Sequence, residues 1–412
     1  MGDLSFAMAW AETGMRWLHV VTAIAWIGSS FYFIALDLSL RPEAGAPKGV
    51  SGAAWQVHGG GFYHMQKYGL APQNMPPDLT WFKWESYATW LSGMGLLGLV
   101  YYWGADLFLL DPRVADMPVW AGIALSAGSL LLGWFAYDRA CKATLGRDAL
   151  LIGIVWGMIL VMGWFYTQVF SARAAMLHLG AFTATIMSAN VFALIIPNQK
   201  IVVADLIAGR SPDPRLGAAA KQRSLHNNYL TLPVIVLMVS NHYPLFFDAH
   251  WNWLMAALLF PMGALIRHWF NSHHARRGNP WWTWPAAAAV GAAIIWLSAL
   301  GPVSHDPEGD DAAALHGAPE AAALAAGFAD VNDIVAMRCT MCHAETPLHP
   351  HFAAPPRGLV FDTPEQVARA AERIYLSAGR TGAMPPANIS FMEPAERARI
   401  RAWFEGIGKT AS

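Results

Sequence analysis

Apolar residues in this chain come in long blocks broken by short polar stretches. Blocks of membrane-spanning length fall at about 15–38, 84–104, 117–137, 150–170, 174–197, 226–243, 251–270 and 281–301. That pattern predicts about eight helices. The sixth is the weakest, because Pro233 interrupts it and its ends are polar. A long Gly- and Pro-rich loop is expected from Ser39 to Lys83 and a shorter one from Asn198 to Leu225. The run from Ser304 to Ala322 sets Asp306, Glu308, Asp310 and Asp311 among Ala and Gly, which reads as a flexible linker over 304–322. Beyond it, Glu393-Pro394-Ala395-Glu396 opens an apolar-periodic stretch through Ile400, Trp403, Phe404 and Ile407, the mark of a closing helix. The expected fold is all-α: a polytopic membrane helix bundle of about eight spans over 1–303, followed by a small helical domain over 323–412.

Composition supports a multi-span membrane protein, with 55% hydrophobic residues, 13% charged and 20 tryptophans. The net charge of -1 and the lack of any Lys/Arg block argue against a nucleic-acid partner. The first apolar run lacks a basic leader and a small-residue cleavage site, so it reads as a retained span. Basic residues are distributed unevenly. One set of alternate loops carries Arg41, Lys48, Lys67, Lys83, Arg139, Lys142, Arg147, Lys200, Arg210, Arg215, Lys221, Arg223, Arg276 and Arg277, whereas the opposite set offers Arg113 and Arg173. The positive-inside bias therefore places both termini outside the cytoplasm, in a bacterial inner membrane with the C-terminal domain periplasmic.

The strongest local motif is Arg338-Cys339-Thr340-Met341-Cys342-His343. A Cys-x-x-Cys-His run lets two thiols add to the vinyl groups of a haem while the imidazole binds its iron, so a covalent haem c on Cys339 and Cys342 with His343 as axial ligand is expected. A half zinc site or a redox dithiol are the alternatives, and the one other cysteine, Cys141, is far upstream. Met384, on the proline-stiffened Gly382-Ala383-Met384-Pro385-Pro386 loop, is the expected sixth ligand, with Met392, His349 and His351 as rivals. Together these features resemble a class I cytochrome c domain from about Ala323 to Lys409.

Ionisable residues inside spans are costly and mark places for chemistry. His19, His178 and His242 fall at one depth, where two of them could ligate a b-type haem; otherwise each bonds a neighbouring helix or sits among headgroups. At the opposite depth lie Asp37, Glu85, Asp138, His226, Asn227, Asn228 and His268, with Lys83 and Trp84 beside Glu85. His226 and His242 are separated by about 24 Å of helix, so they serve different sites. Either the second group forms a pocket that handles protons and stacks a flat ring, or it is a belt of interfacial anchors. The His58-Gly59-Gly60-Gly61-Phe62 patch lacks the ending of a phosphate loop and reads as a flexible loop.

Several stretches together resemble the bacterial membrane-bound urate oxidases, also called urate hydroxylases, with a C-terminal cytochrome c. They are Arg16-Trp17-Leu18-His19 with Trp26-Ile27-Gly28, Phe62-Tyr63-His64, Lys67-Tyr68, Trp81-Phe82-Lys83-Trp84-Glu85, His178 with Asn190 to Lys200, and Arg223-Ser224-Leu225-His226-Asn227-Asn228-Tyr229. The resemblance implies oxidation of urate to 5-hydroxyisourate in purine breakdown, with electrons leaving through the cytochrome to a soluble cytochrome c or a terminal cytochrome oxidase. Urate is a flat anion, so its site needs a base, a cation and a stacking surface. Glu85 or His226 is the expected base, and Lys67, Lys83, Trp84 and Asn227 are the expected substrate contacts. Arg16 and Arg173 are the anion holders if urate enters from the other side.

Overall fold

The computed structural model describes residues 2–410 apart from 70, 71, 73–75, 77, 145, 146, 248, 301–325 and 353. The expected linker at 304–322 lies outside the described residues. The N-terminal part is a bundle of helices α1 (Gly2–Ser39), α2 (Trp84–Leu96), α3 (Val119–Ala143), α4 (Asp148–Val169), α5 (Ala172–Ala189), α6 (Ile196–Ile207), α7 (Pro214–Ser240), α8 (Pro244–Phe247), α9 (Asn252–His274) and α10 (Thr283–Ala299).

The count of about eight spans is corrected to five. Among the described residues, the helices long and apolar enough to cross a membrane are Phe6–Ser39, Val119–Ala143, Asp148–Val169, Ala172–Ile207 and Asn252–His274. The three others fail for separate reasons. The block at 84–104 is not one helix: α2 ends at Leu96, and the chain continues in the wider-wound turns Leu97–Tyr102 and Ala105–Leu109. Most of the block at 226–243 lies within α7, which ends at Ser240, and His226, Asn227 and Asn228 dilute its apolar run. The last block forms α10, apolar but 17 residues long. Several spans together make this a multi-pass membrane protein.

Helix α5 is the axis of the bundle. It packs against α3, α4 and α7, while α9 packs against α7, α10 and α4. Its Leu179, Phe182 and Ile186 lie buried in the main hydrophobic core with Tyr137, Tyr166, Leu237 and Phe260. Through a wider turn at Asn190–Ile195 it runs on into α6, so the expected loop at 198–225 is helical at both ends. The predicted long loop after α1 is also partly ordered. Strands β1 (Val50–His58) and β2 (Gly61–Tyr68) pair antiparallel around Gly59-Gly60, both with positive φ (59° and 78°), the backbone that a two-residue hairpin turn demands.

After the undescribed stretch come α11 (Phe328–Arg338), α12 (Thr340–His343), α13 (Pro364–Arg369), α14 (Ala371–Ile374) and α15 (Pro394–Thr410). Ile400, Trp403, Phe404 and Ile407 of α15 join Val331, Val335 and Ile374 in a second core. This part is not the separate cytochrome c domain that was expected. It sits on the end of the bundle: Ala383 packs against the main core, and Arg357 Nη2 donates to His242 Nδ1 at 3.3 Å.

Close approach of α3 and α5 rests on a missing side chain. A Cβ at Gly133 would run into the Phe182 ring, whereas one at Gly128 would meet nothing within 4 Å. Gly133→Ala should therefore destabilise the protein by about 1–3 kcal/mol through overpacking, and Gly128→Ala should not. Thermal melts of both variants in detergent check this; equal melting temperatures would contradict the packing described.

Candidate functional site

Two regions gather polar side chains, one at each end of the bundle. The first is a buried layer where α3, α5 and α7 meet. Arg223, 2% exposed, extends Nη2 to Asp138 Oδ1 at 2.9 Å, and Lys142 Nζ reaches Asp138 Oδ2 at 2.7 Å. The Arg223 guanidinium also lies over the Tyr137 ring, 4.8 Å from its centre. Tyr137 Oη and His226 Nδ1 are hydrogen-bonded at 2.7 Å. Asn190 Nδ2 donates to Tyr137 Oη at 3.3 Å and to Asn227 Oδ1 at 3.1 Å, and Asn227 Nδ2 donates to Met187 O at 2.9 Å. The α7 spacing explains the convergence, since Arg223, His226, Asn227 and Leu230 recur at three to four residues on one face.

This layer has chemical capacity. Tyr137 Oη has two lone pairs; Asn190 takes one, and the other can accept a hydrogen from His226 Nδ1. In that tautomer Nε2 of the half-buried His226 is left as a proton acceptor. Arg223 Nε is buried and makes no hydrogen bond within the protein, a donor in need of an acceptor.

The expected substrate contacts are brought together only in part. His226 and Asn227 share the layer just described. Lys83, Trp84 and Glu85 stand together at the start of α2, with Lys83 Nζ 5.7 Å from the Trp84 ring centre. Among the described residues, no hydrogen bond or ion pair joins Glu85 to His226. Lys67 is occupied elsewhere, pairing with Asp37 at 2.6 Å. At the other end Arg16 pairs with Glu12, and Arg173 lies over the Phe247 ring at 5.1 Å. Tyr137 and Asn190 went unnoticed in the sequence because a Tyr or Asn in an apolar helix carries no spacing signal. In the sequence Arg223 shows as a loop charge and as the first residue of the Arg223–Tyr229 stretch, with nothing to mark it as buried.

The second region is a cavity of about 550 Å³ between the bundle's end and the C-terminal helices. Arg173, Asn241 and His242 line it from the bundle, and Cys339, Cys342, His343 and Met384 from the other side. Burial pushes the Cys339 thiol up to about 12, raises that of Cys342 and lowers the His343 imidazole, whose Nδ1 lies 3.0 Å from Leu359 O. Of the rival ligands, Met392 is 2% exposed in the second core, and the His349 and His351 rings lie 5.2 Å apart, tilted by 37°.

The expected cofactors are corrected by the donor arrangement. Among the described residues no group of three or more His, Cys, Asp or Glu side chains is placed to hold a metal ion. The three span histidines are each engaged separately: His19 Nδ1 with Thr89 O and Ser92 Oγ, His178 with Ser126 Oγ and Ala174 O, His242 with Arg357. The b-type haem is withdrawn on these findings. The absence of a metal-holding cluster also withdraws the covalent haem c on Cys339 and Cys342 with His343 and Met384 on its iron, and with it the cytochrome-linked electron exit.

With this geometry established, the comparisons with known proteins define a class. The family model described as urate oxidase N-terminal matches residues 5–298, so the chain belongs to that family. No curated protein and no solved structure matches it. The match covers the bundle and stops before the C-terminal helices, which corrects the expected whole-chain likeness to a cytochrome-fused enzyme to a likeness of the N-terminal domain alone. Membership supports an oxidoreductase-type protein.

The wall of the second region carries a titratable ion pair. Arg338 Nε and Nη2 donate to Glu396 at 3.0–3.1 Å, and Glu393 N donates to Glu396 Oε2 at 2.7 Å. Burial would raise the Glu396 carboxyl, but these donors outweigh it and hold the group below its ordinary 4.5. A carboxyl depressed on folding stabilises above its unfolded value and loses that contribution as pH falls through the folded one. The C-terminal helices should therefore melt at falling temperature as pH drops below 4.5, and Glu396→Gln should flatten that slope. An unchanged slope in the variant would remove Glu396 as the cause.

Proposed function

We propose that this chain is a membrane-bound oxidoreductase that oxidises urate or a closely similar planar purine anion. The observation that carries this reading is the family match across residues 5–298, which spans the bundle and its buried polar layer. In the proposed reaction urate and water give 5-hydroxyisourate, two protons and two electrons, the electrons going to an external acceptor. A base must take the substrate's proton before the ring gives up its electrons.

His226 is the proposed base. Its hydrogen bond to Tyr137 at 2.7 Å supports this role, because a held ring presents its free nitrogen in one direction. Arg223, with an unengaged Nε, and Asn227 are the proposed partners for the acceptor-rich rim of the purine. Glu85 is the second candidate for proton handling, with Lys83 and Trp84 as cation and stacking surface beside it. Lys67 would have to leave Asp37 to contribute. The basic loops at this end are proposed to face the cytoplasm, which would bring substrate from that side.

The test is turnover by the full chain purified in detergent, supplied with urate and ferricyanide and followed by the loss of urate absorbance. Wild type should consume urate. His226→Ala should lower kcat/KM by about 10²–10⁴-fold, the range for removal of a general base, and Glu85→Gln should lower it if that carboxylate shares the proton work. Full activity in both variants would move the site elsewhere. Wild type that leaves urate untouched with ferricyanide and with a soluble quinone would overturn the reading.

A further inference from the structure

The hairpin uses only one of its two faces. Register pairs Trp55 with His64 and Val57 with Phe62, so these four side chains share a face, and Gln56 and Met65 lie on the other. The second face runs along the last turns of α1: Tyr32 Oη donates to Gln56 Oε1 at 2.7 Å, and Lys67 pairs with Asp37 at 2.6 Å. On the first face Trp55 stacks on His64 at 4.3 Å and the Glu43 carboxylate meets both at the rim, His64 Nε2 at 3.0 Å and Trp55 Nε1 at 3.4 Å, but the rest is open. Trp55 is 65% exposed, Val57 70% and Phe62 79%.

The position of that face follows from α1. Its last turn carries Asp37, paired with Lys67 of β2, and an exposed ion pair marks the polar edge of the bilayer. The hairpin meets α1 at Tyr32 and Asp37, near the helix end at Ser39. Its neighbours there have the chemistry of that layer: Phe82 packs on Phe33 at 4.6 Å between ring centres, and Trp84 is 64% exposed beneath the Lys83 ammonium. An apolar face on a two-stranded hairpin, whose open edges bar it from the hydrocarbon, held beside the end of a spanning helix, matches a phospholipid surface in both polarity and depth.

We propose that the Trp55–Phe62 face of the hairpin is an interfacial anchor, seated among phospholipid headgroups at the basic end of the bundle. The inference stands apart from the proposed chemistry, since it uses no residue of the buried layer. The test places the full chain in nanodiscs of phosphatidylcholine and phosphatidylglycerol whose acyl chains carry bromine near the carbonyl. Subtracting the emission of Trp55→Phe from that of wild type isolates Trp55. The expected result is loss of most of the Trp55 emission in brominated discs and little quenching by aqueous iodide. Quenching by iodide without quenching by bromine would put the face in water. Protection from both would mean that protein, such as a second copy, covers it, and either result overturns the anchor. Should Trp55→Phe fail to fold, Phe62→Trp reads the same face as emission added to the wild-type spectrum, with the same two quenchers deciding.

Discussion

The Arg223 guanidinium, almost wholly buried between three helices, is the constraint around which the bundle's polar layer is built. A cation removed from water survives only where an anion and hydrogen-bond acceptors replace its hydration. Asp138 supplies the anion at 2.9 Å, and the Tyr137 ring supplies a face for the guanidinium plane. Once Arg223 is fixed, α3 and α7 are locked in register, and the residues one turn along α7 inherit that position. His226 then meets Tyr137, and Asn227 meets Asn190. A second cluster on the other side of α7 repeats the device: Arg267 and Asn271 both donate to Asn228 Oδ1, while the Arg267 guanidinium lies 4.0 Å from the Phe31 ring centre and so ties α9 to α1.

This arrangement concentrates buried charge at one end of the bundle. The middle of α5 is packed against hydrophobic neighbours, and the main core there is built from Leu, Ile, Phe and Tyr. The buried Arg223–Asp138 pair lies at the end that also carries Lys142, Lys83 and the hairpin. Such placement is economical for a membrane protein, because a charged layer near the interface can exchange protons with water while the apolar centre remains intact. It also gives the family assignment a physical location, as the matched residues 5–298 contain the whole of this layer.

Much of this was legible in the residues, for identifiable reasons. Long uninterrupted apolar runs, as in α4, announce themselves, because a span needs little besides length and hydropathy. Runs diluted by polar residues were over-read: the block within α7 counted as a span although its polar face is what the bundle uses. The hairpin was concealed in a Gly-rich stretch, yet Gly59-Gly60 between Val57-His58 and Gly61-Phe62 is a two-residue turn signal that could have revealed it. Among site residues, Asp138, His226 and Asn227 stood out as costly groups at one depth. Tyr137 and Asn190 did not, since only tertiary packing shows that they complete the hydrogen bonds of the others. Motif chemistry at Cys339 and Cys342 was read from spacing alone, and spacing does not show how many donors converge in space.

The central claim, that the Arg223–Asp138 pair organises the layer, is tested most directly by a double-mutant cycle on reversible unfolding in bicelles. Asp138→Leu should destabilise by about 3–5 kcal/mol, because it leaves the buried Arg223 charge without its anion, and Arg223→Met by less, because Lys142 still pairs with Asp138. The double variant should recover most of that loss, with a coupling energy well above 1 kcal/mol, as roughly expected for groups in direct contact. Additive losses, with no recovery in the double variant, would contradict the account.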